Sequence, residues 1–120
     1  MRMNAPTKII PTEEVNLLHA KLCRVVGDPK RIQILYALAE SPCSVGTLAE
    51  LLDVPQPTVS RHLAVLRESG LVNTTRDGTS VYYSIAVPEM IDVIESMRAI
   101  LRTVINRQAN TLEDDTAITE

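Results

Sequence analysis

The segment from Ser44 to Gly70 constrains the fold most, because it contains two short amphipathic stretches separated only by the turn "DVPQ". Ser44 is suited to cap the first stretch. The apolar face of that stretch is formed by Val45, Leu48, Leu51 and Leu52. The second stretch opens at Gln56 and Pro57 and stops at Gly70, with proline near its start and glycine just past its end. Two helices joined by so tight a turn must cross, which predicts a helix-turn-helix unit.

Two further helices are predicted before this unit. The first starts at Thr12, and its apolar stripe consists of Val15, Leu18, Leu22 and Val25. Gly27 ends this helix, Asp28 can cap the next one, and Pro29 fits the first position of that next helix. The second helix extends to about Glu40. Its buried residues are expected to be Ile32, Leu35 and Leu38.

A β-hairpin and a long helix are predicted after the unit. β-Branched and aromatic residues flank Asp77 and Gly78, a pair typical of two-residue hairpin turns. The inward-facing residues of the second strand are expected to be Val81, Tyr83 and Ile85. A last helix begins near Pro88. The predicted fold is therefore mainly α with a β-hairpin wing, a winged helix-turn-helix in which four helices precede the hairpin and one follows it.

The last helix has an apolar stripe that is too wide for a small monomer to cover easily. Its residues recur at steps of four and three: Met90, Ile94, Met97, Leu101 and Val104, widened by Ile91, Ile100 and Ile105. The stripe of the first helix also lacks a partner once the elements between have formed a core. We therefore expect a homodimer in which the first and last helices bury these stripes across a two-fold axis.

Length and composition limit the class of protein. A chain of 120 residues that is 45% hydrophobic fits one globular domain. We expect a flexible N-terminal arm at 1–11, an ordered domain at 12–107 and an acidic flexible tail at 108–120. Neither a secretory signal nor a membrane-spanning apolar run is visible, so the protein is expected to be cytoplasmic. The net charge of −3 does not by itself suggest a nucleic-acid partner, so a DNA-binding surface would require clustered basic groups.

The second helix of the helix-turn-helix unit has an outward face suited to reading DNA. At 100° per residue, its buried arc is formed by Val59, Leu63 and Leu66. The other side and its edges hold Gln56, Pro57, Thr58, Ser60, Arg61 and Ala64. Because Gln and Arg pair bidentately with adenine and guanine edges, this slim polar face predicts a major-groove contact. The alternative is a helix start in which Thr58 and Ser60 satisfy free backbone N–H groups, which explains fewer of these residues.

Two more residues border the predicted DNA surface. His62 lies beside the buried arc, so packing, a phosphate contact and a base contact all remain open. Arg76 lies at the hairpin tip, where it suits a phosphate or minor-groove contact. Its polar neighbours are Thr74, Thr75, Thr79 and Ser80. The alternative for the tip is an ordinary soluble turn, and Asp77 beside Arg76 weakens the electrostatic attraction.

Three blocks of the sequence resemble the ArsR/SmtB family of bacterial winged helix-turn-helix repressors. They are "VVGDPKRIQILYALAE", "VGTLAELLDVPQPTVSRHLAVLRESGLV" and "TTRDGTSVYYSI". The resemblance implies a homodimer that binds an imperfect palindrome in double-stranded operator DNA and is released by a metal ion, a metalloid or a thiol-reactive signal. The residues that match the family's DNA-reading helix are Gln56, Thr58, Ser60, Arg61 and His62, and the residue that matches its wing is Arg76.

The metal sites of that family are not matched in this sequence. One branch has two thiols, one residue apart, where this chain has Ser44 and Gly46. Another branch binds zinc through histidine and carboxylate ligands of the last helix. That helix offers Glu89, Asp92 and Glu95 here but no histidine, and we expect these acids to be solvated. No metal ligand and no cofactor is therefore predicted.

The effector is expected to act on Cys23 and Cys43, the two cysteines of the chain. Cys43 precedes a helix N-terminus on a loop expected to be exposed, and Lys21 and Arg24 flank Cys23, which favours reactive thiolates. Some arsenic-sensing relatives keep thiols at similar places, although arsenite usually takes three. We therefore favour a dithiol switch, by disulfide or persulfide bridging within or between chains, over metalloid binding. The alternative is two unreactive small hydrophobic residues.

Other functions fit the sequence less well. An enzyme would need Cys23 or Cys43 as nucleophile and His19 or His62 as base, and no third orienting group is evident, so the protein is not expected to be an enzyme. A winged-helix protein-interaction module fits the dimer stripes but not the small polar face. An ArsR-like regulator with no thiol or metal effector is the remaining alternative.

Overall fold

The computed structural model describes residues 5–118, with side chains through residue 112. The elements in chain order are α1 (Thr12–Leu18), a π-helical turn (His19–Cys23), α2 (Arg24–Val26), α3 (Pro29–Glu40), α4 (Val45–Leu52), α5 (Gln56–Glu68), β1 (Val72–Asp77), β2 (Ser80–Ile85) and α6 (Glu89–Ile118). The π-helical turn joins α1 and α2 without a break, so that these three pieces form one continuous first helix. The predicted winged helix-turn-helix fold is confirmed.

Side-chain caps start two of the helices where the sequence predicted them. The Asp28 carboxylate accepts hydrogen bonds from the backbone N–H groups of Lys30 and Arg31, at 2.8 and 3.3 Å, and Pro29 follows at the first position of α3. The Ser44 hydroxyl accepts from the backbone N–H of Thr47 at 3.2 Å at the start of α4. These caps satisfy N–H groups that the first turn of a helix leaves without backbone partners.

The turn between α4 and α5 depends on unusual backbone conformation at its start. Asp53 ends α4 in the left-handed region, with φ of 53°. A short aspartate tolerates this region better than a branched residue does. At the other end of α5, Gly70 has φ of +81° and leads the chain into β1. Helix and turn bounds therefore match the predicted helix-turn-helix unit.

The main apolar core lies between α3, α4, α5 and the hairpin. Its fully buried side chains are Ile34, Leu35, Leu48, Val59, Leu63, Leu66 and Val72. Two expectations about burial were wrong in detail. Ile34 is buried where Ile32, only half-buried, was expected, and Leu51 is 64% exposed. The inward side of α4 is centred between the buried Leu48 and the half-buried Leu52, and at about 100° per residue Leu51 lies to one side of it.

The hairpin is antiparallel, with Thr74 opposite Tyr83 and Asp77 opposite Ser80. Its two-residue turn consists of Gly78 and Thr79, one residue later than predicted. Gly78 has φ of +65°, which glycine adopts without strain, and a positive φ at only the first central position is the pattern of a type II′ turn. Alternate residues of β2 are half-buried as expected, including Val81 and Tyr83.

The chain divides into two compact units, Met1–Ala86 and Val87–Glu120. Helix α6 also continues to Ile118, through most of the stretch predicted to be a flexible tail. After Pro88 the sequence contains neither proline nor glycine, so nothing interrupts the helix at residue 107. Residues 5–10 of the predicted arm have no regular structure, whereas residues 1–4 and 119–120 lie outside the described residues. No helix within the described part is long and apolar enough to cross a membrane.

Candidate nucleic-acid interface

Helix α5 has one fully buried face and one exposed face. The side chains of Val59, Leu63 and Leu66 have no exposed surface. Arg61 and Ala64 are exposed on the other side, as the sequence predicted, and so are Gln56 and Ser60 in the first turns. Because the apolar face anchors the helix in the core, the slim polar face is presented to solvent.

Arg61 is ordered on this exposed face by a neighbour on the same helix. Its Nη2 donates a hydrogen bond to Oγ1 of Thr58 at 3.3 Å. Thr58 thus engages the arginine side chain, and the residue at the N-cap position, Pro55, offers no side-chain cap. The guanidinium keeps further N–H donors that can pair with the O6 and N7 atoms of guanine.

Gln56 lies at the first position of α5, next to the start of α4. Its Nε2 is 3.6 Å from the point that a Cβ atom on Gly46 would occupy. That distance is an ordinary van der Waals contact. The amide of Gln56 therefore covers the first turn of α4 while its residue remains exposed.

His62 is half-buried and faces another element of the fold. Its side chain is 16% exposed, and its Nε2 lies 4.0 Å from Oδ1 of Asp28. This distance exceeds a hydrogen bond but permits an ion pair when the imidazole is protonated. Of the roles left open by the sequence, the geometry favours packing within the protein over a contact with a base.

The Asp28 carboxyl is held in its ionised form. Partial burial raises its pKa, but the hydrogen bonds from the Lys30 and Arg31 N–H groups, with the charges of His62 and Arg31, outweigh that effect. The pKa of Asp28 therefore lies below its usual value of 3.8. Hydrogen bonds to the charged form of a carboxylate act in this direction.

The wing presents Arg76 near its tip. Arg76 is exposed on β1, opposite Val81 of β2, and Asp77 follows it at the turn. The polar neighbours predicted to share the tip are exposed or half-buried: Thr74, Thr75, Thr79 and Ser80. Arg76 is therefore presented to solvent at the tip, where the adjacent carboxylate of Asp77 reduces the local positive potential.

The two cysteines lie in different environments. Cys23 is exposed in the π-helical turn, whereas Cys43 is only 7% exposed. Ser41 and Pro42 of its loop are exposed as expected, but the expectation that the Cys43 thiol is accessible there was wrong. The Cys43 N–H donates to the Tyr83 carbonyl on β2 at 3.0 Å, and the Tyr83 N–H donates to the Cys43 carbonyl at 2.8 Å. The Cys43 Sγ donates to the Ser41 carbonyl at 3.4 Å. Cys43 is buried because its backbone pairs with Tyr83, which lies 40 residues later, a contact that no local pattern reveals.

No group of three or more metal-binding side chains occurs in the described part of the chain. The Ser44 hydroxyl is used as a helix cap, and Gly46 offers no ligand. Glu95 forms a salt bridge with Arg98 at 2.7 Å, one turn along α6, and Glu89 and Asp92 are exposed in the first turn of that helix. All three acids are exposed.

Sequence reasoning missed the contacts that connect Arg31 and Asp28 to other helices. The Arg31 Nε donates to the Val25 carbonyl at 2.6 Å, and its Nη2 reaches the Arg24 carbonyl at 3.3 Å. Asp28 was predicted as a cap but not as a neighbour of His62, 34 residues later. Contacts at such separation depend on packing, so a single sequence carries no signal for them.

Comparison with known proteins supplies the family. Residues 28–74 match the family model described as bacterial regulatory protein, arsR family. The transcriptional regulator KmtR of Mycobacterium tuberculosis is 43% identical over 74 residues, a match that covers 62% of this chain and 56% of that protein. The biofilm growth-associated repressor of Agrobacterium fabrum is 38% identical over 68% of this chain and 69% of that protein.

Solved structures show the same fold. The crystal structure of Rv0081 from Mycobacterium tuberculosis has a TM-score of 0.72 and 32% identity, covering 82% of this chain and 99% of that one. A homodimeric winged helix-turn-helix DNA-binding domain from Mycobacterium bovis, described as a possible ArsR-family regulator, has a TM-score of 0.68 and 25% identity, covering 82% of this chain and 93% of that one. This chain therefore belongs to the arsR family of bacterial regulatory proteins.

Proposed function

We propose that the protein is a DNA-binding transcriptional repressor that reads operator DNA with the exposed face of α5, called the reading helix from here on. The observation that carries this proposal is that the helix has one completely buried apolar face and one exposed polar face. Val59, Leu63 and Leu66 are completely buried, whereas Arg61 and Ala64 are exposed. A slim face with Arg at its centre can enter the major groove, which admits an α-helix.

Separate roles follow for the surface residues. Arg61 is proposed to read a guanine and Gln56 an adenine, because their side chains match those base edges. Thr58 orients Arg61, and Ser60 contacts a base or a phosphate from its exposed position. Arg76 on the wing is proposed to contact the DNA backbone, which positions the protein without specifying sequence.

The repressor is proposed to act as a homodimer. Helix α1 exposes Val15, Leu17 and Leu18, whose exposed fractions are 41, 57 and 43%. Helix α6 exposes a longer apolar row: Val93, Met97, Ile100, Leu101, Val104, Ile105 and Leu112. Rows of this extent on a small protein mark an association surface. Two-fold symmetry would present two reading helices to inverted half-sites about 34 Å apart, one turn of DNA.

The inducer is proposed to be a thiol-reactive signal, and Cys23, being exposed, is the thiol that meets it first. With peroxide as oxidant, Cys23 and Cys43 would lose two protons and two electrons to form a disulfide, while the peroxide becomes two waters. Bridging by a polysulfide or binding of a metalloid are the related possibilities. Because Cys43 pairs with Tyr83 on β2, its reaction would disturb the wing and so weaken DNA binding.

A second candidate is a regulator of the same kind that has no thiol effector. The burial of Cys43, at 7% exposure, favours this candidate, because a buried thiol reacts slowly. Both candidates are non-enzymatic.

An electrophoretic mobility shift with the DNA upstream of the protein's own coding sequence tests the function. We expect one shifted complex on an inverted repeat, weakened by disrupting either half-site, and no equivalent complex on shuffled DNA. Peroxide, polysulfide and arsenite are then added to the complex. The thiol switch is supported if one of these reagents releases DNA from the wild-type protein but not from Cys23→Ser or Cys43→Ser. The second candidate is supported if both variants release DNA as the wild type does. Equal binding to operator and shuffled DNA contradicts the repressor proposal.

A further inference from the structure

Asp28 lies between the start of α3 and the reading helix. Its Oδ1 accepts the backbone N–H groups of Lys30 and Arg31, and the same oxygen lies 4.0 Å from Nε2 of His62. One carboxylate oxygen therefore caps one helix and faces a side chain of another. Because the cap hydrogen bonds fix the carboxylate, the imidazole of His62 has an immobile partner.

Arg31 extends this arrangement to the first helix. Its guanidinium donates to the carbonyls of Val25 and Arg24, at 2.6 and 3.3 Å. These carbonyls belong to the last turn of the first helix, where carbonyl groups have no N–H partner within the helix. Gly27 packs tightly beside them, since a Cβ there would lie 3.2 Å from the Cys23 carbonyl oxygen. The first helix, α3 and the reading helix thus meet at Asp28, Arg31 and His62, called the Asp28 junction.

The reading helix is anchored mainly by apolar packing, and a polar contact adds a restraint on its orientation. Val59, Leu63 and Leu66 hold it in the core through interdigitating apolar side chains. The N-cap position, Pro55, makes no side-chain hydrogen bond. Pairing with base edges requires side chains held to within about 0.5 Å and 10 to 20°. The approach of the Asp28 carboxylate to His62, next to Arg61, opposes rotation of the helix about its own axis.

We propose that Asp28 is a positioning residue for DNA reading, which acts through His62 to fix the orientation of the reading helix. His62 then holds the helix in place, and Arg31 makes the orientation dependent on the end of the first helix. A change in the first helix, where Cys23 lies, would reach the reading helix through this junction. The inference rests on the proposed DNA-binding function and identifies residues that control it.

A double-mutant cycle on Asp28→Asn and His62→Gln tests the proposal. Asparagine caps a helix about as well as aspartate, so Asp28→Asn keeps α3 while removing the charge that faces His62. Glutamine retains an N–H donor near the position of Nε2 but lacks the imidazole ring. The readout is the ratio of operator affinity to shuffled-DNA affinity. Each single variant should lower this ratio about fivefold, and the double variant should lower it by about the same factor rather than by the product.

Asp92→Asn is the matched control, because it removes one negative charge from an exposed position of α6. Loss of a negative charge alone strengthens binding to all DNA and leaves the ratio unchanged. A ratio that is unchanged in Asp28→Asn, or single effects that multiply in the double variant, would overturn the proposal.

Hydrogen exchange of the free protein separates this inference from the proposed function. Amides of residues 56–62 should exchange faster in Asp28→Asn and in His62→Gln than in wild type. In the double variant they should exchange no faster than in either single variant. If the wild-type protein binds operator and shuffled DNA equally, the repressor function is contradicted. The hydrogen-exchange result then tests the role of the Asp28 junction independently of DNA binding. Exchange identical to wild type in both single variants overturns the positioning role.

Discussion

The guanidinium of Arg61 donates a hydrogen bond to the hydroxyl of Thr58 at 3.3 Å, on the exposed side of the reading helix. This contact holds a long side chain in one orientation before DNA is met. Less conformational entropy is then lost when the arginine pairs with a base. The pair is therefore the most direct test of base reading.

Arg61→Ala should remove about 1 to 3 kcal/mol of discrimination at one base position. The reason is the loss of a bidentate pair that only one base satisfies. The measurement is a binding competition against operators changed singly at each position. Arg67→Ala is the matched control, since Arg67 is exposed near the far end of the same helix. Loss of affinity spread evenly over all operator variants would contradict a base-reading role.

Arg76→Ala should weaken binding to operator and shuffled DNA alike. A phosphate contact carries no sequence information, and its removal lowers the number of counterions released. The slope of log K against log salt should become shallower by about one. Titrations by fluorescence anisotropy over a series of salt concentrations measure this slope. Asp77→Asn, at the neighbouring position, should strengthen both affinities, and an unchanged slope in Arg76→Ala would remove the wing from the interface.

Leu101→Glu should convert the protein to a monomer and abolish stable operator binding. The side chain is 57% exposed on the apolar row of α6, and a charge buried in an interface without a partner is strongly unfavourable. Sedimentation velocity gives the oligomeric state and circular dichroism the fold. Asn106→Glu, at an exposed position on the opposite side of α6, is the control and should remain dimeric. A dimeric Leu101→Glu protein would rule this row out as the interface.

Iodoacetamide should label Cys23 of the native protein well before Cys43. Cys23 is exposed, whereas Cys43 is 7% exposed and its loop is paired with Tyr83. Mass spectrometry of tryptic peptides at successive times measures both rates. Labelling in denaturant is the control and should proceed at similar rates for the two thiols. Equal rates in the native state would show that the Cys43 loop opens readily.

The protein should lose stability in acid partly through Asp28. Its folded pKa is below the unfolded value of 3.8, so the ionised carboxylate stabilises the fold above pH 3.8 and this contribution disappears as the pH falls through the folded pKa. Thermal melts between pH 7 and 2.5 should therefore show a smaller pH dependence for Asp28→Asn than for wild type. The Asp92→Asn protein serves as the reference for removal of an exposed carboxylate. A pH dependence in Asp28→Asn equal to that of wild type would contradict the lowered pKa.

The local elements could be predicted because their signals lie close together in the chain. Caps at Asp28 and Ser44, the left-handed glycine after α5 and the spacing of Val59, Leu63 and Leu66 each involve residues within a few turns. The predicted end of the last helix was wrong, because the composition changes after residue 107 but no helix-breaking residue follows Pro88.

The candidate site could be predicted only in part. The exposed face around Arg61 follows from helical periodicity, which is a local property. The burial of Cys43 and the approach of His62 to Asp28 do not, because each brings together residues that are far apart in the chain.

The amino-acid order alone determined which segments form helices and strands, where most of them begin and which side of α5 is apolar, because caps, turns and periodicity act over neighbouring residues. Tertiary packing decided that the Cys43 thiol is covered and that the Asp28 carboxylate faces His62. The physical reason is that burial and charge pairing depend on which distant surfaces the folded core brings into contact, and on the free energy gained by excluding water between them.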